Sequence, residues 1–158
     1  MKKGFTLIEL IASLAIFSLS ILVISVAFFA SFNAKQMNDI KQSTAGYSQA
    51  IIESFRTIGY ANLDLKYSSA TTPGVSTFVY FNDMSNVNLQ NYINRTAIIS
   101  GNVNASTYNL STGNKFGALI KITKTSIGGI TPYHVYVKVW RLDKGPKSQS
   151  VRDIYESR

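Results

Sequence analysis

The chain has 158 residues, with 16 Lys and Arg against 8 Asp and Glu for a formal charge of +8, and it contains no cysteine. At roughly 100–200 residues per domain, that length implies one domain with one core and excludes a large multi-site enzyme. The missing cysteines exclude disulfides, Cys-ligated zinc, iron–sulfur clusters and thiol nucleophiles, and the single histidine, His134, excludes a His–His metal pair.

Met1 to Gly4 form a short basic stub, MKKG, and apolar residues collect immediately behind it. Between Phe5 and Phe32 the one charged residue is Glu9, and Leu10 to Ala34 is an uncharged run of 25 residues without proline or glycine. As a helix that run is about 37 Å long, enough to cross a hydrocarbon core of about 30 Å. It is too long for the apolar part of a secretory signal peptide, which spans about 7–15 residues. Lys2 and Lys3 precede it, so the positive-inside rule places the N-terminus in the cytoplasm and the rest of the chain outside. On composition alone it is a signal anchor.

The string Lys2-Lys3-Gly4-Phe5-Thr6-Leu7-Ile8-Glu9-Leu10 is more specific than an anchor requires. It closely resembles the class III signal of type IV pilins and pseudopilins. The resemblance implies that a prepilin peptidase cuts between Gly4 and Phe5, before the apolar helix rather than after it. It also implies that the new terminus at Phe5 is N-methylated, and that Glu9 is the acid this family places five residues into the mature chain. Its expected role is in assembly, neutralising the Phe5 amine of a neighbour, and the alternative is an acid that fixes the depth of the helix at the membrane interface. Many major pilins carry a proline or glycine midway along the apolar helix. Residues 5–45 contain neither, which turns the resemblance toward a minor pilin or a pseudopilin.

The helical pattern continues beyond the apolar run. Met37, Ile40, Thr44, Tyr47, Ile51, Phe55 and Ile58 recur at spacings of 3 and 4, while Lys35, Asp39, Gln42, Glu53 and Arg56 fall off that stripe. One helix is therefore expected from about Phe5 to about Ile58, with Gly59 as its stop and Gly46 inside it. Alternating strands follow: Val75–Phe81, Phe116–Thr123 and His134–Trp140, the last two as a hairpin, with weaker candidates at Thr96–Ser100 and Val151–Tyr155. The expected fold class is α+β, a long N-terminal helix packed on an antiparallel sheet, which is also the pilin fold the resemblance implies. The expected organisation is a leader at 1–4, a membrane-spanning and filament-core segment at 5–34, and a globular head at 35–158.

Residues 82–114 hold nine asparagines and read as a turn-rich loop. Asn94, Asn104 and Asn109 there fit the N-x-S/T glycosylation pattern. No two acids of the head are spaced as a metal site or catalytic pair; Asp153 and Glu156 read as solvated surface, and His134 as a lone surface residue. No phosphate loop or nucleophile elbow is present, so neither an enzyme nor a cofactor or metal is expected.

Charge is the remaining signal. Lys121, Lys124, Lys138, Arg141, Lys144, Lys147 and Arg152 cluster late, interleaved with Tyr133, Tyr136 and Trp140. Such a surface attracts polyanions, DNA or anionic surface polymers, or simply solubilises a strand face. The ligand reading centres on Lys121, Lys138, Arg141, Lys144 and Lys147. The resemblance implies further partners: the prepilin peptidase and methylase, other pilin subunits through the N-terminal helix, and an inner-membrane assembly platform. The expected protein is a membrane-anchored precursor that becomes a minor pilin of a surface filament. The alternatives are a secretion or DNA-uptake pseudopilin, or an anchored adhesin.

Overall fold

The computed structural model describes residues 6–68, 70, 74–84 and 113–158. The expected strand at Thr96–Ser100, the three N-x-S/T sites and the two residues flanking the cleavage position, Gly4 and Phe5, lie outside the described residues. The chain divides into two compact units, Met1–Asp39 and Ile40–Arg158.

Helix α1 (Leu7–Tyr67) carries the apolar run and then the stripe. In the first unit no described residue is buried, and large side chains such as Leu7 (78 %) and Ile24 (68 %) stand exposed. From Ile40 onward the predicted stripe turns inward: Ile40, Thr44, Ile51 and Phe55 are buried, with Ser48 and Ile52 beside them. Within this second unit α1 packs on a four-stranded antiparallel sheet in the order β1 (Val75–Phe81), β2 (Phe116–Lys124), β3 (Tyr133–Arg141) and β4 (Ser150–Glu156).

The strands alternate because side chains on a pleated strand point to opposite faces. Val79 and Phe81 of β1, Ala118, Ile120 and Ile122 of β2, and Val135, Val137 and Val139 of β3 form the core with α1. Tyr47 meets Phe81 and Phe116 edge-on, with ring centroids 5.4 and 4.9 Å apart. The opposite face has a smaller cluster of Phe78, Trp140 and Leu142. This explains Gly117 within β2. A Cβ there would come within 3.2 Å of Leu142 and 3.3 Å of Phe78, so any larger residue would require this cluster to shift by a few tenths of an ångström.

The helix passes its expected end. Gly59 adopts φ 73°, ψ 165°, a conformation closed to other residues, and bends α1; helical backbone then resumes to Tyr67. The glycine thus acts as a bend rather than a stop. Continuation is favoured by burial, since Leu63 (0 %) and Tyr67 (1 %) return to the core on the far side of the bend. Gly46 has no such role: it is exposed, and nothing lies within 4 Å of where its Cβ would be.

Two glycine substitutions should therefore act in opposite directions. Gly46→Ala is expected to stabilise the fold by about 0.5–1 kcal/mol and Gly59→Ala to destabilise it by about 1–3 kcal/mol, read from thermal melts of the detergent-solubilised chain. Ile51, fully enclosed between helix and sheet, tests the stripe itself. Ile51→Asp should cost several kcal/mol and unfold the second unit, seen as loss of its cooperative melting transition.

Candidate processing signal and head surface

At the start of α1 the backbone N–H groups have no helical partners, and the sequence supplies them. The Thr6 N–H donates to Glu9 Oε2 at 2.9 Å and the Thr6 hydroxyl to the same oxygen at 3.0 Å. In return the Glu9 N–H reaches Thr6 Oγ1 at 3.4 Å and the Thr6 carbonyl at 3.1 Å. This is a reciprocal capping box, Thr-x-x-Glu, with the carboxylate at the positive end of the helix dipole. Glu9 Oε1 receives no hydrogen bond among the described residues. The spacing Thr6-Leu7-Ile8-Glu9 is itself the sequence signature of this cap, so the box is legible without the fold.

Behind the cap, the hydroxyls of Ser13, Ser18, Ser20 and Ser25 donate to carbonyls one turn back, on Glu9, Leu14, Ile16 and Ile21, at 2.7–2.9 Å. These four hydroxyls are thereby satisfied within the helix, as a hydrocarbon environment demands. Among the described residues α1 is the one helix long and apolar enough to cross a membrane.

Residues 1–25 match the prokaryotic N-terminal methylation motif. The chain carries a type IV pilin-like class III signal. No curated protein and no solved structure matches the chain. The motif implies processing by a prepilin peptidase and assembly with other pilins, and it marks structural subunits rather than enzymes. A long apolar helix directly behind the signal fits anchoring in a membrane.

The basic residues of the head are dispersed more than the sequence suggests. Lys124 Nζ lies 2.7 Å from Asp64 Oδ1, and Arg141 Nε lies 2.7 Å from Asp143 Oδ1. Lys144 and Lys147 belong to the turn that follows β3, Lys147 within a short 3-10 helix (Gly145–Ser148). Tyr133 and Trp140 are buried and cannot contribute to a surface. Lys121, by contrast, stands directly opposite Tyr136 in the sheet register, with Lys138 two residues further along β3. Nor is His134 alone: its Nε2 is 3.1 Å from Asp153 Oδ2, and its ring stacks on Tyr155 at 4.4 Å. Asp153 and Glu156 prove to be strand residues with an odd spacing, so they fall on opposite faces of β4.

Asp64 fastens the helical segment beyond Gly59 to the sheet. Its Oδ1 accepts both Lys124 Nζ and the Tyr133 hydroxyl, the latter at 2.6 Å. The lysine hydrogen bond, then the tyrosine one, holds the Asp64 carboxyl below its ordinary value of 3.8, and the Asp64 hydrogen bond raises Lys124. Burial, with the Asp64 hydrogen bond second, pushes Tyr133 up to about 12. No sequence signal could have found this trio, whose members are 60 and 69 residues from Asp64.

The trio makes stability pH-dependent at both ends. A carboxyl with a lowered folded pKa contributes fully above its unfolded value, and the contribution disappears as pH falls below that value. Lys124 and Tyr133, raised on folding, contribute below their unfolded values and lose that contribution as pH rises past 10 toward 12. Thermal melts should therefore show a larger fall between pH 5 and pH 3 for the native chain than for Asp64→Asn. The variant should be less stable at pH 7.

Proposed function

We propose that this chain is a minor pilin, a structural subunit made as a membrane-anchored precursor and assembled into a type IV pilus through its apolar N-terminal helix. The observation that carries the reading is the class III signal over residues 1–25, followed without interruption by an exposed apolar helix. The peptidase cuts between Gly4 and Phe5, and Phe5 is N-methylated. The leader's Lys2 and Lys3 stay in the cytoplasm and the head lies on the other side. The absence of proline and glycine from residues 5–45 supports a minor over a major subunit. A pseudopilin of a secretion or DNA-uptake system would use the same signal and helix.

The apolar helix can live in two environments. Burying most of it removes on the order of 1,500 Å² from water, worth tens of kcal/mol gross at about 25 cal/mol per Å². Lipid and a bundle of like helices provide nearly the same shelter, so transfer between them is close to balanced and can be driven by an assembly motor. Glu9 supplies specificity. Its Oε2 is occupied by its own cap, and its Oε1 is left to pair with the charged Phe5 amine of a neighbouring subunit in a dry core, where an unpaired partner would be strongly destabilising.

Mass spectrometry of the mature N-terminal peptide should begin at N-methyl-Phe5, and Gly4→Leu should abolish cutting. A terminus near Ser31, or an intact Met1, would overturn the reading. Glu9→Gln separates charge from capping, because glutamine also closes a capping box. The variant should insert and be trimmed normally yet enter filaments poorly, scored by immunolabelled electron microscopy. Incorporation at native density would leave Glu9 a cap and nothing more.

A further inference from the structure

The outer face of the sheet, away from α1, carries a set of side chains to which the assembly proposed above, through the N-terminal helix, gives no part. The register places Thr123, His134 and Tyr155 in one row across β2, β3 and β4, and Lys121, Tyr136 and Asp153 in the next; Lys138 follows on β3. Directly paired residues of adjacent strands share a face at about 4.5–5.5 Å, and successive same-face residues of a strand are about 7 Å apart. His134, Tyr136, Tyr155, Lys121 and Lys138 therefore form one contiguous patch, and none of them is buried.

Two properties mark this patch out. The first is a ready-made ring platform. His134 and Tyr155 are stacked at 4.4 Å with only 11° between their planes, and Tyr155, on the sheet's edge strand, is 57 % exposed. One side of its ring is covered by the imidazole, and no other described ring stacks on it. The second is charge without a partner. Among the described residues Lys124 and Arg141 are tied to Asp64 and Asp143, and the acid within the patch, Asp153, is held by His134. Lys121 and Lys138 have no acidic partner among the described residues and flank the Tyr136 ring.

We propose that this face binds single-stranded nucleic acid, with an unpaired base stacked on Tyr155 and the phosphate backbone passing over Lys121 and Lys138. Aromatic rings supply sequence-tolerant stacking, and every unpaired base has a flat face to offer. A duplex hides those faces, and an anionic polysaccharide lacks planar bases. The rings therefore select against both, while the lysines alone would not. The site is independent of the N-terminal signal and of Glu9.

The test uses the full chain in non-ionic detergent and a fluorescein-labelled oligothymidylate of about twenty nucleotides, followed by fluorescence anisotropy. Saturable binding is expected, weakening as salt rises. Tyr155→Ala should weaken it by about five- to a hundred-fold, the range a lost base stack covers, while Tyr155→Phe retains it. Lys121→Gln with Lys138→Gln should reduce the slope of log affinity against log salt by about 1.4, two phosphate contacts on a single strand. All substituted side chains are at least partly exposed, so the variants should melt as the native chain does. Should Tyr155→Ala prove unstable, preference of the native chain for the oligothymidylate over its duplex decides: equal affinity overturns the proposal. Absence of binding would overturn the proposal. So would equal affinity for the duplex or a sulfated glycan with Tyr155→Ala indistinguishable from the native chain, which would reduce the face to an unselective basic surface.

Discussion

A helix whose side chains are apolar on every side cannot remain in water, and the N-terminal part of α1 presents such a surface from Leu7 to Phe32. Its helical backbone bonds to itself, and Ser13, Ser18, Ser20 and Ser25 turn their hydroxyls back onto the same helix. What it lacks is a cover, and lipid or like helices are the two covers available to it. The signal that precedes it acts within the same constraint. The proposed cut before the helix would leave the apolar surface on the mature chain, whereas a cut behind it would remove that surface.

From Ile40 onward the same helix meets the opposite requirement. It has one apolar face, and the sheet covers it. The sheet in turn is built to be covered on the α1 side by regular alternation, with Val135, Val137 and Val139 at full burial in the centre of β3. Gly59 lets α1 bend without ending, so Leu63 and Tyr67 extend the core. Asp64, one residue beyond Leu63, ties the bent segment to β2 and β3 through Lys124 and Tyr133. The bend and the polar fastening are complementary: the glycine permits the direction, and the trio holds it.

Glu9 has a local purpose that its hydrogen bonds show, and the proposed assembly would add an intermolecular one. One oxygen closes the helix start with Thr6, which fixes the side chain in a defined place at the positive end of the dipole. A carboxylate already oriented in this way loses less conformational freedom when it pairs with a cation than a mobile one would. Its position near the end of the apolar run also reduces the cost of carrying a charge in a membrane, because headgroups and water lie within reach.

Much of this was legible in the residues themselves. Period 3.6 from Met37 to Ile58 and period 2 in Val75–Phe81, Phe116–Thr123 and His134–Trp140 are direct consequences of burying one face, so helix, strands and core could be read before any coordinates. The processing signal is a contiguous string and needs no fold to be recognised. The end of α1 was missed because local propensity at Gly59 was overruled by the burial of Leu63 and Tyr67, which depends on where the sheet lies. The partners of the basic residues are hidden in the sequence for a related reason. Proximity in sequence cannot say which lysine meets an acid 60 residues away, nor which tyrosine faces the core. The packing of α1 on the sheet decided that Lys124 belongs to Asp64, and strand register decided that Lys121, Tyr136, Lys138 and the His134–Tyr155 stack share one face. Local periodicity determines what each segment is, because each segment must bury its own apolar side. Which polar groups become neighbours depends on strand pairing between distant segments, and that exists only in the folded chain.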